Sequence, residues 1–328
     1  MKHKIGIIGC GLIGWKRAMS LKKNQIIGCY DTNINNAKKF AKFFGCIYFR
    51  KVDFIINNKD INTVLICTPH NSLNHLANNN IKKNKHVFIE KPGAKDLKSL
   101  IDVKRVSKSN PNSKVHVGYN HRYHPSIIMA KKIIEKKKIG KIMYIRARYG
   151  HGARLNYEKE WRMKRKISGG GELIDQGSHL IDLSRLFLGN LKLKFSRLNN
   201  FFWKNKDKVE DNAFLVLENK NGNLSFLHCS CTEWKNKFSF EIFGKLGKLE
   251  ISGLGGSYGK ETLTFYKMKK KMGKPTVYKW SFPSVDNSWK DELNDFFEKI
   301  KRNKKIVSNL DNAIENMKLI HESYSIYK

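Results

Sequence analysis

Three glycines near the start of the chain have the spacing of a phosphate-binding turn. Gly9, Gly11 and Gly14 form a G-x-G-x-x-G pattern directly after the apolar run 5–8. The first glycine permits a tight bend, the second allows a pyrophosphate to approach the backbone, and the third permits close helix–strand packing. Asp31 ends the second apolar run, where a carboxylate can accept hydrogen bonds from both ribose hydroxyls. The pattern predicts a dinucleotide site that favours NAD over NADP, because a 2′-phosphate would meet a like charge.

A carboxylate and an imidazole four residues apart form the second candidate for chemistry. Asp175 and His179 lie in a predicted helix over 172–188, introduced by three consecutive glycines. At that spacing the two side chains share one helix face. A carboxylate beside an imidazole orients the ring and stabilises its protonated form, which suits acid–base catalysis. The alternative is a pair on the helix surface that adds only a little stability.

Two further side-chain groups remain open at the sequence level. Trp161 could pack on a sugar face and Arg162 could bind an anionic group, or both could be structural anchors. His121 and His124 form H-x-x-H, but a third ligand at a recognisable spacing does not accompany them. We therefore predict that the protein has no metal site.

Two different patterns of secondary structure position these residues. Short apolar strands alternate with helices through about residue 120, which predicts a doubly wound parallel sheet of the Rossmann type. Longer alternating runs then predict an α+β region with a mostly antiparallel open sheet and helices on one face; they are 142–148, 213–218, 224–231 and 238–243. We expect two domains, 1–121 and 122–328, and leave open whether the last helix packs back on the first domain.

The composition limits the remaining function classes. The 328 residues include 64 Lys and Arg against 28 Asp and Glu, for a formal charge of +36. The lysines are spread along the chain, whereas a nucleic-acid footprint is normally clustered, so we predict no nucleic-acid partner. Apolar stretches are too short for a membrane span, and the N-terminal run is too short for a signal peptide. Six cysteines without a C-x-x-C pair favour a reducing compartment, and we expect a cytoplasmic protein.

Several motifs together resemble the Gfo/Idh/MocA oxidoreductases, which include glucose–fructose oxidoreductase and inositol dehydrogenase. The motifs are the glycine turn, Thr68-Pro69, Glu90-Lys91-Pro92, and Gly169-Gly170-Gly171 running into Asp175-Gln176-Gly177-Ser178-His179. They occur in the family's order and spacing over nearly the whole chain. The resemblance implies a dehydrogenase or reductase that uses NAD(P) on a carbinol or ketone carbon of a sugar, nucleotide sugar or cyclitol.

The resemblance also assigns residues to roles. It implies that Lys91, Asp175 and His179 are catalytic, with Lys91 also beside the nicotinamide. The implied cofactor-binding residues are Gly9, Gly11, Leu12, Ile13, Gly14, Asp31, Thr68, Pro69, Glu90 and Lys91. The implied substrate-binding residues are Asn120, Arg122, Trp161, Arg162, Asp175 and His179. The loop 150–157 is implied to reach toward the substrate, and the open sheet face is implied to be buried in a homodimer or homotetramer.

One alternative on the same fold is a regulatory protein that binds dinucleotide and sugar without catalysis, since fold alone does not determine function. The presence of Lys91, Asp175 and His179 favours the enzyme.

Overall fold

The computed structural model of the chain describes residues 3–304, 306 and 309–326. The chain divides into two units. The first consists of Met1–Tyr119 with Trp289–Glu315, and the second of Asn120–Ser288 with Asn316–Lys328. Trp289–Glu315 therefore belongs to the first unit. The sequence analysis put the domain boundary after residue 121 and left open whether the last helix packs back on the first domain.

The first unit contains a six-stranded parallel sheet. Its strands are β1 Ile5–Ile8, β2 Ile26–Tyr30, β3 Ile47–Tyr48, β4 Thr63–Ile66, β5 His86–Glu90 and β6 Val115–Gly118. The order across the sheet is β3-β2-β1-β4-β5-β6, the doubly wound arrangement. The helices between the strands are α1 Leu12–Met19, α2 Ile34–Phe44, α3 Asp53–Ile56, α4 His70–Lys82 and α5 Leu97–Lys108.

Local sequence signals account for the ends of these helices. The side chain of Asn33 accepts a hydrogen bond from the N–H of Asn35 at the start of α2, which ends at Gly45 with a left-handed φ of +67°. The central strands β1 and β4 are buried throughout and apolar except for Thr63, because helices cover both faces of a doubly wound sheet.

The second unit contains an eight-stranded, mostly antiparallel sheet. Its strands are β7 Ile142–Gly150, β8 Leu191–Asn199, β9 Asn212–Asn219, β10 Leu224–Ser230, β11 Lys237–Gly244, β12 Gly247–Ser252, β13 Thr262–Lys267 and β14 Thr276–Ser281. They lie in the order β14-β13-β12-β11-β7-β10-β9-β8, and β7 with β10 is the one parallel pair among the described strands of this sheet. The fold class predicted from the sequence is confirmed for both sheets.

The remaining helices complete the two units. They are α6 Pro125–Glu135, α7 Arg165–Ser168, α8 Ser178–Leu188, α9 Ser288–Lys301 and α10 Leu310–Ile326. Helix α8 packs on β7 and β10, so alternate residues of β7 such as Ile145, Ala147 and Tyr149 are buried. Phe195 and Phe226, by contrast, are 52% and 41% exposed. Among the described residues, no helix combines the length and the apolar character needed to cross a membrane.

Candidate active site

The glycine turn between β1 and α1 has little room for side chains at two of its three glycines. Gly9 has a φ of +97°, and a Cβ on it would lie 2.6 Å from the carbonyl oxygen of Cys67. A Cβ on Gly14 would lie 2.0 Å from the carbonyl oxygen of Gly9. A Cβ on Gly11 would have no neighbouring heavy atom within 4 Å among the described residues. Gly9 and Gly14 are thus required by the fold itself, whereas the space over Gly11 is available to a ligand.

The start of α1 is suited to binding an anion. The helix begins directly after Gly11, which has no side chain to cap it, and its first turn is Leu12-Ile13-Gly14-Trp15, all uncharged. The N–H groups at a helix start and the positive end of the helix dipole favour a phosphate there.

Asp31 lies against this turn at the end of β2. Its Oδ2 atom accepts a hydrogen bond from the N–H of Cys10 at 2.7 Å, and its Oδ1 atom accepts one from the N–H of Asn33 at 2.8 Å. The carboxylate is therefore held at the edge of the glycine turn. The open space over Gly11, the helix start and this carboxylate together fit a dinucleotide.

Four strands of the sheet deliver predicted cofactor residues to the same edge. Gly9 follows β1, Asp31 follows β2, Thr68 and Pro69 follow β4 shortly after its end, and Lys91 follows β5. The carboxyl ends of neighbouring parallel strands form the usual ligand-binding edge of an open α/β sheet.

Glu90 and Lys91 are neighbours with different surroundings. Glu90 is buried, and its Oε1 atom accepts a hydrogen bond from Nε of Arg17 at 2.6 Å. Lys91 is half-buried and is joined to Pro92 by a cis peptide bond. The structure thus connects the Glu90 carboxylate to the protein interior, while its assignment to cofactor binding stays a prediction.

Arg17 is an important residue that the sequence analysis missed. It is fully buried, and its Nη1 atom lies 2.7 Å from Glu292 on α9. Its guanidinium also stacks over the rings of Phe88 at 4.3 Å and Trp289 at 4.5 Å. Burial alone would lower the pKa of Arg17, but Glu90 and Glu292 raise it above its ordinary value. The sequence did contain a signal for this burial. Arg17 lies three residues after Gly14, a helical spacing that puts both on the buried face of α1.

In the second unit, the predicted helix over 172–188 is interrupted near its start. Leu173–Gly177 is a π-helical turn, and α8 begins only at Ser178. The prediction of one continuous helix was therefore wrong over its first residues. Asp175 lies in the π turn and His179 in the first turn of α8, and both are buried. π-helical turns of this kind are frequent at functional sites.

Asp175 is bound by an arginine from the preceding loop. Nε of Arg162 donates to Oδ2 of Asp175 at 2.9 Å, and the same guanidinium lies 4.6 Å from the Trp161 ring centre. Burial would lower the pKa of Arg162, but Asp175 raises it above its ordinary value. The structure thus brings three of the predicted residues together.

His179 stacks face to face on His121. The ring centres are 3.7 Å apart, and the planes differ by 18°. The hydroxyl oxygen of Tyr149 lies 3.5 Å from Nε2 of His121. Nδ1 of His124, by contrast, lies 2.9 Å from Oε2 of Glu261. The two histidines of H-x-x-H therefore have different partners, and in the described ranges no group of three or more His, Cys, Asp or Glu side chains is arranged to hold a metal ion.

Asn120 and Arg122, predicted to bind substrate, have contacts inside the second unit. The Nδ2 atom of Asn120 donates to Ser288 at 2.9 Å. Arg122 forms a two-pronged pair with Asp182 of α8, with both distances 2.6 Å. The Arg122–Asp182 pair fixes the loop before α6 relative to α8. The substrate role of Asn120 and Arg122 stays a prediction.

The loop 150–157 is attached next to the π turn. Nε2 of His151 lies 3.6 Å from Oε1 of Glu172, and the Tyr157 hydroxyl donates to the same oxygen at 3.1 Å. Burial would lower the pKa of His151, but the Glu172 carboxylate raises it. Glu172 directly precedes the π turn that contains Asp175. The loop 150–157 is therefore attached to the chain next to Asp175.

Two family models cover most of the chain. Residues 3–119 match the oxidoreductase family with an NAD-binding Rossmann fold, and residues 127–250 match the GFO/IDH/MocA C-terminal domain. The chain belongs to the Gfo/Idh/MocA family of oxidoreductases. The family resemblance and the NAD-binding fold predicted from the motifs are confirmed.

Two curated relatives are a sugar-phosphate dehydrogenase and a cyclitol dehydrogenase. Glucose-6-phosphate 3-dehydrogenase of Bacillus subtilis is 32% identical over 187 residues, which are 55% of this chain and 52% of that protein. Inositol 2-dehydrogenase of Rhizobium meliloti is 28% identical over 194 residues, 58% of this chain and 56% of that protein. The chain thus spans about half the length of the curated relatives it matches.

A solved structure shows the same fold along the full chain. Levoglucosan dehydrogenase in complex with NADH and levoglucosan superposes with a TM-score of 0.88, covering 100% of this chain and 98% of that chain at 22% identity.

Proposed function

We propose that this family member is an NAD-dependent oxidoreductase acting on a carbinol or ketone carbon of a sugar, nucleotide-linked sugar or cyclitol. The observation that carries the proposal is the ligand-binding edge of the first sheet. Gly11, Asp31 and Lys91 each lie just after a strand that ends at this edge. The space over Gly11 is open, Asp31 provides a carboxylate, and Lys91 provides an amine. The relatives named above support the substrate class.

The cofactor residues of the proposal follow from that edge. The turn residues Gly9, Gly11, Leu12, Ile13 and Gly14 would hold the pyrophosphate, with Thr68, Pro69, Glu90 and Lys91 toward the nicotinamide. When bound, the nicotinamide supplies the hydride acceptor or donor. Asp31 would bind the adenosine ribose and disfavour a 2′-phosphate, so NAD is the proposed cofactor.

Three side chains perform the proposed proton and charge chemistry. In the oxidising direction, an imidazole nitrogen of His179 accepts the proton of the substrate hydroxyl. The Lys91 ammonium stabilises the negative charge that develops on that oxygen. Asp175, held by Arg162, keeps a carboxylate near the start of α8, where it favours the protonated imidazole. In the reducing direction, His179 returns the proton.

The second unit would also bind the substrate. Trp161 would pack on the sugar, with Asn120, Arg122 and Arg162 as polar groups around it. In terms of the predicted domains, 1–121 would bind the cofactor and 122–328 would bind the substrate and form the oligomer.

We also propose a homodimer or homotetramer in the cytoplasm. The outer face of the second sheet contains a hollow of about 510 Å³ with the partly exposed Phe195 and Phe226 in its lining. A second copy of the chain would cover that apolar surface. All six cysteines are free thiols, as suits a reducing compartment.

The proposal is tested by assaying reduction of NAD and NADP across cyclitols, aldoses, uronic acids and nucleotide sugars. For Lys91→Ala, we expect turnover to fall by on the order of 100-fold or more while NAD binding is kept. The matched control is Lys95→Ala in the same loop, for which we expect normal turnover. Normal turnover in Lys91→Ala would remove Lys91 from the chemistry, and NAD binding without turnover on any substrate would favour the regulatory alternative.

A further inference from the structure

Two loops of the second unit carry three exposed aromatic rings and one that is half-buried. We name Phe201, Phe202, Trp203 and Trp234 the aromatic shelf. Phe201, Phe202 and Trp234 are 61%, 54% and 64% exposed. The Phe202 ring packs edge-on against Trp203 at 5.0 Å and against Trp234 at 4.9 Å. Large apolar side chains grouped on a surface indicate a binding site.

A buried carboxylate holds the first of these loops in place. The side chain of Asp211, which is fully buried, accepts hydrogen bonds from three consecutive backbone N–H groups, those of Phe201, Phe202 and Trp203, at 2.9, 2.7 and 2.9 Å. The Trp203 indole N–H donates to the carbonyl oxygen of Cys231 at 2.9 Å. The loop is therefore ordered by its own polar contacts while its phenylalanines face solvent. Such preorganisation lowers the entropy lost on binding.

The aromatic shelf packs on the same small cluster of buried side chains as the segment that contacts Asp175. Trp203 packs on a small core made of Tyr157, Met163, Val209 and Cys231. Met163 follows Trp161 and Arg162, whose guanidinium binds Asp175. The Tyr157 hydroxyl donates to Glu172, directly before the π turn. The shelf therefore borders the region of the second unit to which we assign the acid–base pair.

Basic residues accompany the shelf rings. Trp203 is followed by Lys204, and Trp234 by Lys235, both exposed. Further exposed basic residues in these loops and in the adjoining segment 154–166 are Arg154, Lys159, Lys164, Arg165, Lys166, Lys206 and Lys208. Of these, Arg154 forms an ion pair with Glu160. Aromatic faces combined with cations can bind both parts of a nucleotide, because the base stacks while the phosphates pair with the charges.

We infer that the aromatic shelf is a subsite for the nucleoside diphosphate half of a nucleotide-linked sugar. The base stacks on the face of one of the two perpendicular rings, Phe202 or Trp234, and meets the other ring edge-on. The diphosphate lies against the neighbouring lysines and arginines. The inference rests on the proposed function and narrows its substrate class to sugars activated by a nucleotide. A bare sugar or a second copy of the chain would need the rings but not the surrounding cations.

The test measures binding of uridine diphosphate and guanosine diphosphate to the full chain by titration calorimetry. Saturating NAD is present so that the nucleotides cannot occupy the dinucleotide turn. The variants are Phe202→Ala and Trp234→Ala, and Phe202→Tyr retains a ring at the same place. Phe54→Ala is the matched control, because Phe54 is 56% exposed in the first unit.

We expect the dissociation constant of at least one nucleotide to rise about tenfold in each alanine variant. It should stay unchanged in Phe54→Ala and nearly unchanged in Phe202→Tyr. Uridine or inorganic pyrophosphate alone should bind more weakly than the whole nucleotide, and added salt should weaken binding.

Three results would overturn the inference. They are failure of both nucleotides to bind, equal affinity in the alanine variants, and dissociation of an oligomer by those variants with nucleotide affinity unchanged. The last would assign the shelf to a second copy of the chain. None of these measurements uses turnover, so they leave the Lys91 test of the proposed function unaffected.

Discussion

At the scale of single residues, neighbours in one motif have different surroundings at the end of β5. Glu90 is bound by the buried Arg17, whereas Lys91 is half-buried at the ligand-binding edge. Arg17 also approaches Glu292, and Glu292 lies 3.0 Å from Nε2 of His116. The stability of the first unit should depend on this arginine, because its removal would leave two buried carboxylates without a positive charge beside them.

Replacing Arg17 with Met should therefore destabilise the first unit strongly. The expected loss is about 3–5 kcal/mol, since Glu90 and Glu292 would stay buried without their cation. Urea unfolding followed by circular dichroism measures it. Arg105→Met is the control, because that arginine pairs with Asp102 on the surface and its loss should hardly change stability. Equal midpoints for wild type and Arg17→Met would show that the network contributes little.

Asp31 allows a second prediction at this scale. Asp31→Ser removes the carboxylate beside the glycine turn, so the preference for NAD over NADP should fall by roughly tenfold or more. The measurement is the ratio of kcat/KM for the two cofactors, with Asp60→Ser as a control on an exposed carboxylate. An unchanged ratio would mean that another group distinguishes the ribose.

At the scale of elements, the sequence predicted those with strong local patterns. The strands and helices around the glycine turn were predicted because apolar runs, caps and breakers lie next to one another in the chain. Strands β3, β8, β12, β13 and β14 were not predicted. An edge strand such as β14 is mostly exposed, so it lacks the buried alternation by which a strand is detected.

The π turn was also missed, for a different reason. Helical spacing in 172–188 predicts one continuous helix, and the extra residue per turn appears only when the segment packs. A Cβ on Gly177 would lie 2.9 Å from Sγ of Cys229 on β10, so the segment packs closely on the sheet at that point. Close packing of this kind is a tertiary constraint that the local sequence pattern does not encode.

The junction of β1 with α1 gives a prediction with an internal control. Gly14→Ala should destabilise the protein by about 1–3 kcal/mol, because the new methyl would overlap the Gly9 carbonyl oxygen at 2.0 Å. Gly11→Ala should leave the melting temperature of the NAD-free protein unchanged but weaken NAD binding by about tenfold or more, since its methyl would enter the ligand space. Thermal unfolding with and without NAD measures both. Equal loss of stability in the two variants would contradict this division of roles.

At the scale of the whole molecule, the chain builds its first unit from two separated stretches. Helix α9, at the far end of the sequence, supplies Trp289 and Glu292 to the surroundings of Arg17. The first 119 residues therefore contain the dinucleotide turn but not all of the groups that surround the arginine behind it.

The outer face of the second sheet yields the prediction on assembly. Phe226→Asp should raise the dissociation constant of the proposed oligomer on the order of thirtyfold or more, because a charge would be buried against the partner. Sedimentation velocity at several concentrations measures it. Phe54→Asp, on the first unit, should leave the mass unchanged. An oligomer that survives Phe226→Asp would exclude this face as the interface.

By itself, the sequence determined the family, the two sheet types and the dinucleotide turn, because those features depend on residues close together in the chain. Only the tertiary structure decided which side chains meet. The stacking of His121 on His179, the pairing of Arg162 with Asp175 and the contact of His116 with Glu292, 176 residues away, carry no local signal. Such contacts arise when packing of whole elements brings distant side chains together, and the buried polar groups must then find partners there.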